Sequence, residues 1–453
     1  MSGTENSIQE LLACAASLLL GNEVNAAGDH DAIRILQALE YAPQSDERND
    51  TETANRAHLL SAASRFTRVF ELSSPDAPGL FGFGAQFDPA LADPLHEGSP
   101  IVGVSGVGLT LRDAFQGCIG EGIEYLSQLQ AGTDLVLKPG IEDWAGKLGP
   151  NARILIANLS KRRMQPERAL SWCRATRLID GGEAWLPADI CLRRPSSQRD
   201  FAPPFPLSIG SAAGPSRDAA ALHGLLELIE RDATSLWWRG GQLARSIPPQ
   251  HAAAAVAENL LRQLRHGAAM QRRTWLLDIT TDIAVPCIVA VSCREDGSGF
   301  AFGLAARPAL ETAVHSAIVE MCQLELADAV VAAKRSERGD DALNAQDRIH
   351  LQRAAIDADQ CRLLQPVAEY AAHLPIRAIE AGVIFGLIVQ RLGELGIETF
   401  SLDLTRQRFA VPVVRVIAPG LQLEPSEIVT ARLQDMIAHT GGGAAYTGGV
   451  HLI

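Results

Sequence analysis

The sequence predicts an α/β protein. One main domain, residues 66–430, repeats loop–helix and strand units, with a helical extension over 1–65 before it and a flexible Gly-rich tail over 431–453 after it. Three observations predict this class. Helices recur that carry a side-chain pair three residues apart: Glu121/Glu124 in GCIGEGIEY, Glu227/Glu230 in HGLLELIER and Glu320/Gln323 in SAIVEMCQ. Each is reached through a small-residue loop, and an alanine stands seven residues before the first glutamate, at Ala114, Ala220 and Ala313. A strand–turn–strand unit also recurs. Trp275-Leu-Leu-Asp278-Ile-Thr280 leads to Val285-Pro286, and Phe400-Ser-Leu-Asp403-Leu-Thr405 leads to Val411-Pro412, each followed by an apolar run. The N-terminal segment, by contrast, keeps a period of three to four.

In chain order, Ile8-Leu11-Leu12-Ala15 and Ile33-Leu36-Leu39 give helices, interrupted by a polar break from Pro43 to Thr53. The apolar stretch Leu11–Leu20 is too short to span a bilayer and lacks preceding Lys or Arg, so it reads as the buried face of the first helix rather than a signal peptide. From Phe66 to Phe83 the pattern turns β-like and is punctuated by Gly and Pro. The first loop, Ser105-x-x-Gly108, opens a helix over 111–129, and Ser211-x-x-Gly214 matches it in the second copy. The second and third copies share Gly-x-Ala-Ala-x-Pro, at 210–215 and 303–308. In the strand repeat, Asp and Thr side chains are suited to closing the turn onto the backbone. The basic run 262–273 reads as solvated helix and loop, and the charged stretch 335–347 as a loop or linker.

Composition sets bounds on function. The chain has 453 residues, 47% hydrophobic and 21% charged, which is ordinary for a globular protein. A net charge of -13 argues against general nucleic-acid binding, where a basic footprint is expected. The eight cysteines contain no C-x-x-C pair, which fits a reducing cytoplasm and argues against disulfide support.

Glutamates at i and i+3 usually decorate a solvated helix face. Here the flanks are small or apolar (Gly117-Cys-Ile-Gly120, Leu225-Leu226, Ala317-Ile-Val319), and the pattern recurs three times. Residues three apart share one helix face. Several such helices converging would give an oxygen-lined pocket for a hard cation and the phosphates it carries.

The ordered set Ser208-Ile-Gly-Ser-Ala-Ala-Gly214, Leu226-Glu-Leu-Ile-Glu-Arg-Asp232, Glu320-x-x-Gln323, Asp403-Leu-Thr405 and Pro412-Val-Val-Arg-Val-Ile-Ala-Pro-Gly-Leu421 resembles the YcaO superfamily, over about 65–430. The resemblance implies a YcaO-like domain using ATP and Mg2+ to activate a peptide backbone amide. It makes Glu121, Glu124, Glu227 and Glu230 metal ligands and Arg231 a phosphate-facing catalytic cation. Ser105, Gly108, Ser208, Ser211, Gly214, His223, Glu320 and Gln323 become nucleotide-binding candidates. Azoline-forming members often end in a Pro-rich sequence whose carboxylate enters the active site; this chain ends Gly448-Gly-Val-His-Leu-Ile453, which makes His451 and Ile453 catalytic candidates. The first copy departs from the family pattern at Val107, Gly117 and Tyr125, where a basic residue, Ser and Arg are usual, and Ala327 replaces a basic residue in the third. The implied activity is cyclodehydration of Cys, Ser or Thr in a ribosomally made precursor peptide; thioamide or amidine formation, or a weakened scaffold subunit, are the alternatives. Implied partners are the precursor peptide, a leader-binding, E1-like or TfuA-like protein, a flavin dehydrogenase, and a second subunit in a homodimer or hetero-oligomer, with no nucleic acid and no membrane.

Overall fold

A computed structural model describes residues 7–21, 26–41, 50–137, 148–165, 169–266, 272–371 and 378–453. The extension contains α1 (Ile8–Leu19), α2 (Ala26–Ala38) and α3 (Asp50–Ala63). Ser7 and Glu10 form a reciprocal capping box that starts α1, and Leu12, Ala15 and Ala16 are its buried face. The first repeat unit is β1 (Arg68–Ser73), β2 (Phe81–Phe87), β3 (Val102–Gly108) and α4 (Leu111–Gln128). There follow β4 (Val136–Leu137), α5 (Pro150–Ser160), β5 (Trp172–Arg177), β6 (Glu183–Pro187) and α6 (Ala188–Cys191). The second unit is β7 (Ser211–Ala213) and α7 (Arg217–Trp238), then α8 (Ala252–Arg265). The third is β8 (Arg272–Asp278), β9 (Cys287–Arg294), β10 (Ala301–Ala306) and α9 (Leu310–Arg338). The chain closes with α10 (Ala345–Ala354), α11 (Ala381–Glu394), β11 (Phe400–Asp403), β12 (Val413–Ile417), α12 (Ala431–Thr440) and α13 (Ala444–Thr447).

The strands form three antiparallel sheets: β1-β2-β3, β8-β9-β10, and β4-β5-β11-β12-β7 with β6 also on β5. In register, Phe81 faces Gly108, Gly303 faces Ala290, and Val414 faces Ala212. Each unit's helix lies on the strand just before it, and small residues are what permit the contact. A Cβ at Gly106 would meet the Cys118 nitrogen at 2.1 Å, and one at Gly303 the Ala317 oxygen at 2.1 Å. In the second unit the glycine is on the helix as well: a Cβ at Gly224 would meet the Gly210 oxygen at 2.5 Å. The recurring Ala114, Ala220 and Ala313 are fully buried. Thr110 and Ser216 cap α4 and α7 identically, each accepting from the N–H three residues on.

The strand repeat is written in hydrogen bonds. Asp278 Oδ1 accepts from Thr280 N at 2.9 Å, and Thr280 Oγ1 from Cys287 N at 2.9 Å. Asp403 Oδ1 accepts from Thr405 N at 3.0 Å, and Thr405 Oγ1 from Val413 N at 3.1 Å. Both turns are closed by the same two side chains.

Three expectations need correction. The basic run is not simply solvated: Arg265 and Arg272 both bond the fully buried Glu325, at 2.6 Å and 2.9 Å, because a carboxylate taken into the core needs compensating cations. The stretch 335–347 is mostly helical; α9 runs on to Arg338, where an exposed turn needs no large apolar residues, and Arg335 pairs with Asp340 at 2.6 Å. The polar break at 43–53 falls partly outside the described residues, and α3 already begins at Asp50.

The Gly-rich tail is folded rather than loose. Gly443 packs against the Trp238 carbonyl, Trp238 Nε1 donates to Val450 O at 2.8 Å, and Leu452 is fully buried in the core beside α7. Its glycines mark positive φ at 441, 442, 448 and 449, so they set turns rather than looseness. Among the described residues no helix is long and apolar enough to cross a membrane.

Candidate functional site

The three units bring their paired side chains to one place. On the first unit Glu121 Oε2 accepts from Ser105 N at 3.4 Å, on the second Glu227 Oε2 from Gly210 N at 3.0 Å, and on the third Glu320 Oε2 from Leu304 N at 3.3 Å. Each helix thus holds its first glutamate against the strand before it. Contacts between units close the circle. Ala306 N on β10 donates to Glu230 Oε2 at 3.3 Å, and Gln323 Nε2 on α9 donates to Ser105 Oγ at 3.2 Å. Arg231 stands amid the acids, 3.5 Å from Glu227 and 4.0 Å from Glu230. Its Nε is buried without a partner among the described residues.

The electrostatics follow from this crowding. Burial, opposed by the Ser105 N–H and reinforced by Glu227, lifts Glu121 to about 7, although its carboxylate still opens to solvent. Glu124 rises well above the ordinary range through burial and then the charges of Glu227 and Glu121. Glu227 rises through burial, against the pull of Arg231. Burial and the neighbouring Glu230 push Glu320 up to about 8. The set is short of positive charge, and its donors toward a guest are all oxygen, which suits a hard divalent cation. Among the described residues no three acidic, His or Cys side chains already cluster as a metal site. Magnesium, which keeps waters and takes only one or two carboxylates together with phosphate oxygens, does not require such a cage.

A cleft of about 790 Å³ opens onto this site. Its walls include Glu121, Glu124, Gly214 and His223, together with Asn55 and Arg56 of α3. The extension is therefore part of the cleft: Asn55 Nδ2 donates to Pro215 O at 2.9 Å across it.

Other sequence-predicted residues serve packing. Gly108 and Gly214 let their loops pass close to Ala114 and Ala220. Ser208 accepts from Ser211 N at 2.9 Å through its carbonyl. The Ser211 hydroxyl is buried and occupied by Leu207 O and by Arg415 Nη1, at 3.3 Å and 2.9 Å, so the structure does not bring it to the cleft. Two further motif residues have structural roles: Asp232 of α7 clamps Arg432 and the Gln422 N–H, and Arg415 of β12 clamps Ile190 O. His451 lies 3.7 Å from Glu424, and Leu452 O accepts from Arg353 Nη1 at 2.5 Å. The His451 side chain is thus exposed beside Glu424, and Ile453 packs partly against the core beside α7.

Sequence reasoning missed Arg307, whose charge depresses His223 and His315 after burial does, and also acts on Glu320. It occupies the place in the third loop that Gly108 and Gly214 hold in the first two, thirteen residues before the glutamate, so the repeat itself carried a signal. Arg193, which stacks on Tyr125, was missed as well and left no such trace.

Three strand–helix units that bring their Glu121/Glu124, Glu227/Glu230 and Glu320/Gln323 pairs together beside a cleft define a class of α/β proteins suited to holding a cation-bound polyanion. The sequence profile of the family described as YcaO cyclodehydratase, ATP- and Mg2+-binding, matches residues 105–422, well over half the chain; the protein belongs to the YcaO family. A protein of Methanothermobacter thermautotrophicus is 26% identical over 374 residues, 79% of this chain and 90% of that one. A Rhizobium leguminosarum bv. trifolii protein from the tfuA 3′ region is 28% identical over 276 residues, 57% of this chain and 62% of that one. Among solved structures, a heterocyclase in complex with substrate and cofactor superposes with TM-score 0.68 at 20% identity, over 90% of this chain and 58% of that chain. YcaO from Methanopyrus kandleri, bound with AMPPCP and Mg2+, superposes with TM-score 0.57 at 18% identity, over 83% and 92% of the two chains.

Proposed function

We propose that this protein uses ATP and Mg2+ to activate backbone amides of a ribosomally made precursor peptide, and that the reaction is cyclodehydration of Cys, Ser or Thr to thiazoline or oxazoline. The observation that carries the reading is that Glu227, Glu230 and Glu320 gather around Arg231 while Glu121 and Glu124, which line the cleft, interact with Glu227. Family membership supplies the ATP and Mg2+, and the heterocyclase fold likeness supports the ring-forming outcome.

Glu121, Glu124, Glu227 and Glu230 would hold Mg2+, and burial raises the proton affinity of the first three, so a cation there would relieve their crowding. When bound, Mg2+-ATP supplies the phosphoryl group that makes the amide oxygen a leaving group. Arg231 faces the charge that spreads over the phosphoryl oxygens, and its unpartnered Nε is a donor in reserve. Glu227 and Glu230 hold that guanidinium in place. The α3 wall narrows the cleft and limits water at the reacting carbonyl. A peptide partner and a second protein subunit complete the reading.

A second reading, thioamide formation, has one observation in its favour: the Rhizobium relative belongs to a tfuA 3′ region, which supports a TfuA-like partner. Peptide mass separates the two, since each ring costs one water and each thioamide exchanges oxygen for sulfur. The test of amide activation is Mg2+-dependent ATP hydrolysis stimulated by peptide. Arg231→Ala and Glu230→Gln should each lower it at least about a hundredfold, the scale of losing an aimed electrostatic contact. Full peptide processing by Arg231→Ala would overturn the enzyme reading.

A further inference from the structure

The second unit follows its acidic pair with Arg231, whereas the first unit has Tyr125 at the matching position. The third unit has Leu324 there, so it is by comparison with the second unit alone that the first lacks a cation at 125. The structure supplies one from elsewhere: the Arg193 guanidinium lies over the Tyr125 ring, 4.6 Å from its centroid. We infer that Arg193 is the phosphate-facing cation of the first unit, delivered onto Tyr125 from the segment after α6. The inference rests on the proposed nucleotide site and assigns this residue within it.

The placement is built rather than incidental. Arg193 N donates to Gln128 O at 2.7 Å, and its carbonyl accepts from Gln130 N at 3.0 Å, so the backbone is clamped on both sides to the end of α4. Its Nε donates to Gln128 Oε1 at 2.7 Å, and the same Gln128 donates through Nε2 to Glu124 Oε1 at 3.1 Å. A two-bond relay therefore ties the guanidinium to the second glutamate of the pair, and its charge acts on Glu124. Burial opposes the Arg193 charge, while Glu124 and Tyr125 favour it.

Neighbouring arginines show by contrast what Arg193 leaves unspent. Arg194 gives Nη1 to Asp189 and Asp200, Nη2 to Ser171 and Nε to Gln130. Arg415 is equally engaged, with Ile190 O, Leu207 O and Ser211 Oγ. Arg193 is held by Nε alone, and neither Nη has a hydrogen-bond partner among the described residues. A planar fork fixed by stacking and by one bond, with two donor groups free beside an acidic pair, suits a phosphate oxygen. A guanidinium set over an aromatic ring is oriented in a way lysine cannot reproduce.

The experiment is calorimetric titration of the full chain with a non-hydrolysable ATP analogue and Mg2+, alongside thermal melting. Wild type should bind; if it does not, the nucleotide reading itself falls. If it does, Arg193→Gln, which keeps an amide near Gln128 and removes the charge, should weaken binding about tenfold to a hundredfold, the scale of a lost charge-assisted contact. Arg193→Lys should retain part of that affinity. The decisive variant is Tyr125→Arg in the Arg193→Gln background, which moves the cation to the position matching Arg231 of the second unit and should recover at least half of the loss on a logarithmic scale. Equal binding by Arg193→Gln and wild type, or no recovery in the double variant, overturns the assignment and makes Arg193 a packing residue. If Arg193→Gln does not fold, Tyr125→Arg together with Arg193→Lys answers the same question, with binding at or above that of Arg193→Lys expected and weaker binding refuting it.

Discussion

Removing residues 448–453 should destabilise the protein strongly, although a Gly-rich terminus ordinarily contributes little. The magnitude follows from three contacts. Leu452 is fully buried in the core cluster with Trp237, Trp238 and Phe300, and losing such a leucine costs about 3 kcal/mol. The Trp238 indole N–H, 2.8 Å from Val450 O, would be left buried and unpaired, at about 1–2 kcal/mol. Arg353, stacked over Phe302 at 5.5 Å, would lose its bond to Leu452 O and retain its charge in a half-apolar setting, for roughly another 1 kcal/mol. The total, about 5 kcal/mol, is comparable with the whole stability of many domains, ~5–15 kcal/mol. Urea unfolding followed by tryptophan fluorescence measures it, because Trp237 and Trp238 sit at the affected place. Leu452→Ala should give somewhat over half the effect with the chain terminus intact. Deleting Ile453 alone should shift stability much less, so any loss of product in that variant isolates a chemical role of the terminal carboxylate. A truncated protein that unfolds together with wild type would refute the packing of the tail.

Other expectations follow. In EDTA the stability of the protein should fall as pH rises from about 4.5 to about 8, because carboxyls lifted in the folded state, Glu320 to about 8 and Glu121 to about 7, bind more protons folded than unfolded over that window. Saturating Mg2+ should remove most of that fall, as measured by melting temperature across pH; a flat profile in EDTA would contradict the crowding of the acids. Gly303→Ala should cost at least about 2 kcal/mol or abolish folding, since its Cβ would press on the Ala317 and Met321 backbone of α9, at 2.1 and 2.2 Å. Gly386→Ala, in α11 with nothing within 4 Å of an added Cβ, should instead stabilise by up to about 1 kcal/mol, as read by chemical denaturation.

The sequence alone determined those features whose cause is local or repeats at fixed spacing. Alternation of apolar residues every three to four positions marks helices because one face must be buried. The close contact of α4, α7 and α9 with their strands leaves Gly and Ala at recurrent places, since no larger residue fits there. The Asp278/Thr280 and Asp403/Thr405 turns are legible because each side chain bonds backbone two residues away, or across its own turn. The pairs Glu121/Glu124 and Glu227/Glu230 were readable as sharing one helix face for the same reason: a helix aligns them without help.

Tertiary structure decided what depends on elements distant in the chain. Nothing near Tyr125 announces Arg193, because the stacking pair is made by docking the 188–200 segment against the end of α4. Nor does composition show that Asn55 of the extension spans the cleft to Pro215, since a polar residue on a helix reads equally as solvated. The tail misled for a related reason. Glycine signals freedom in an isolated chain, but at positive φ it supplies turns, and here the turns carry Leu452 into a core whose shape was fixed by residues two hundred positions away.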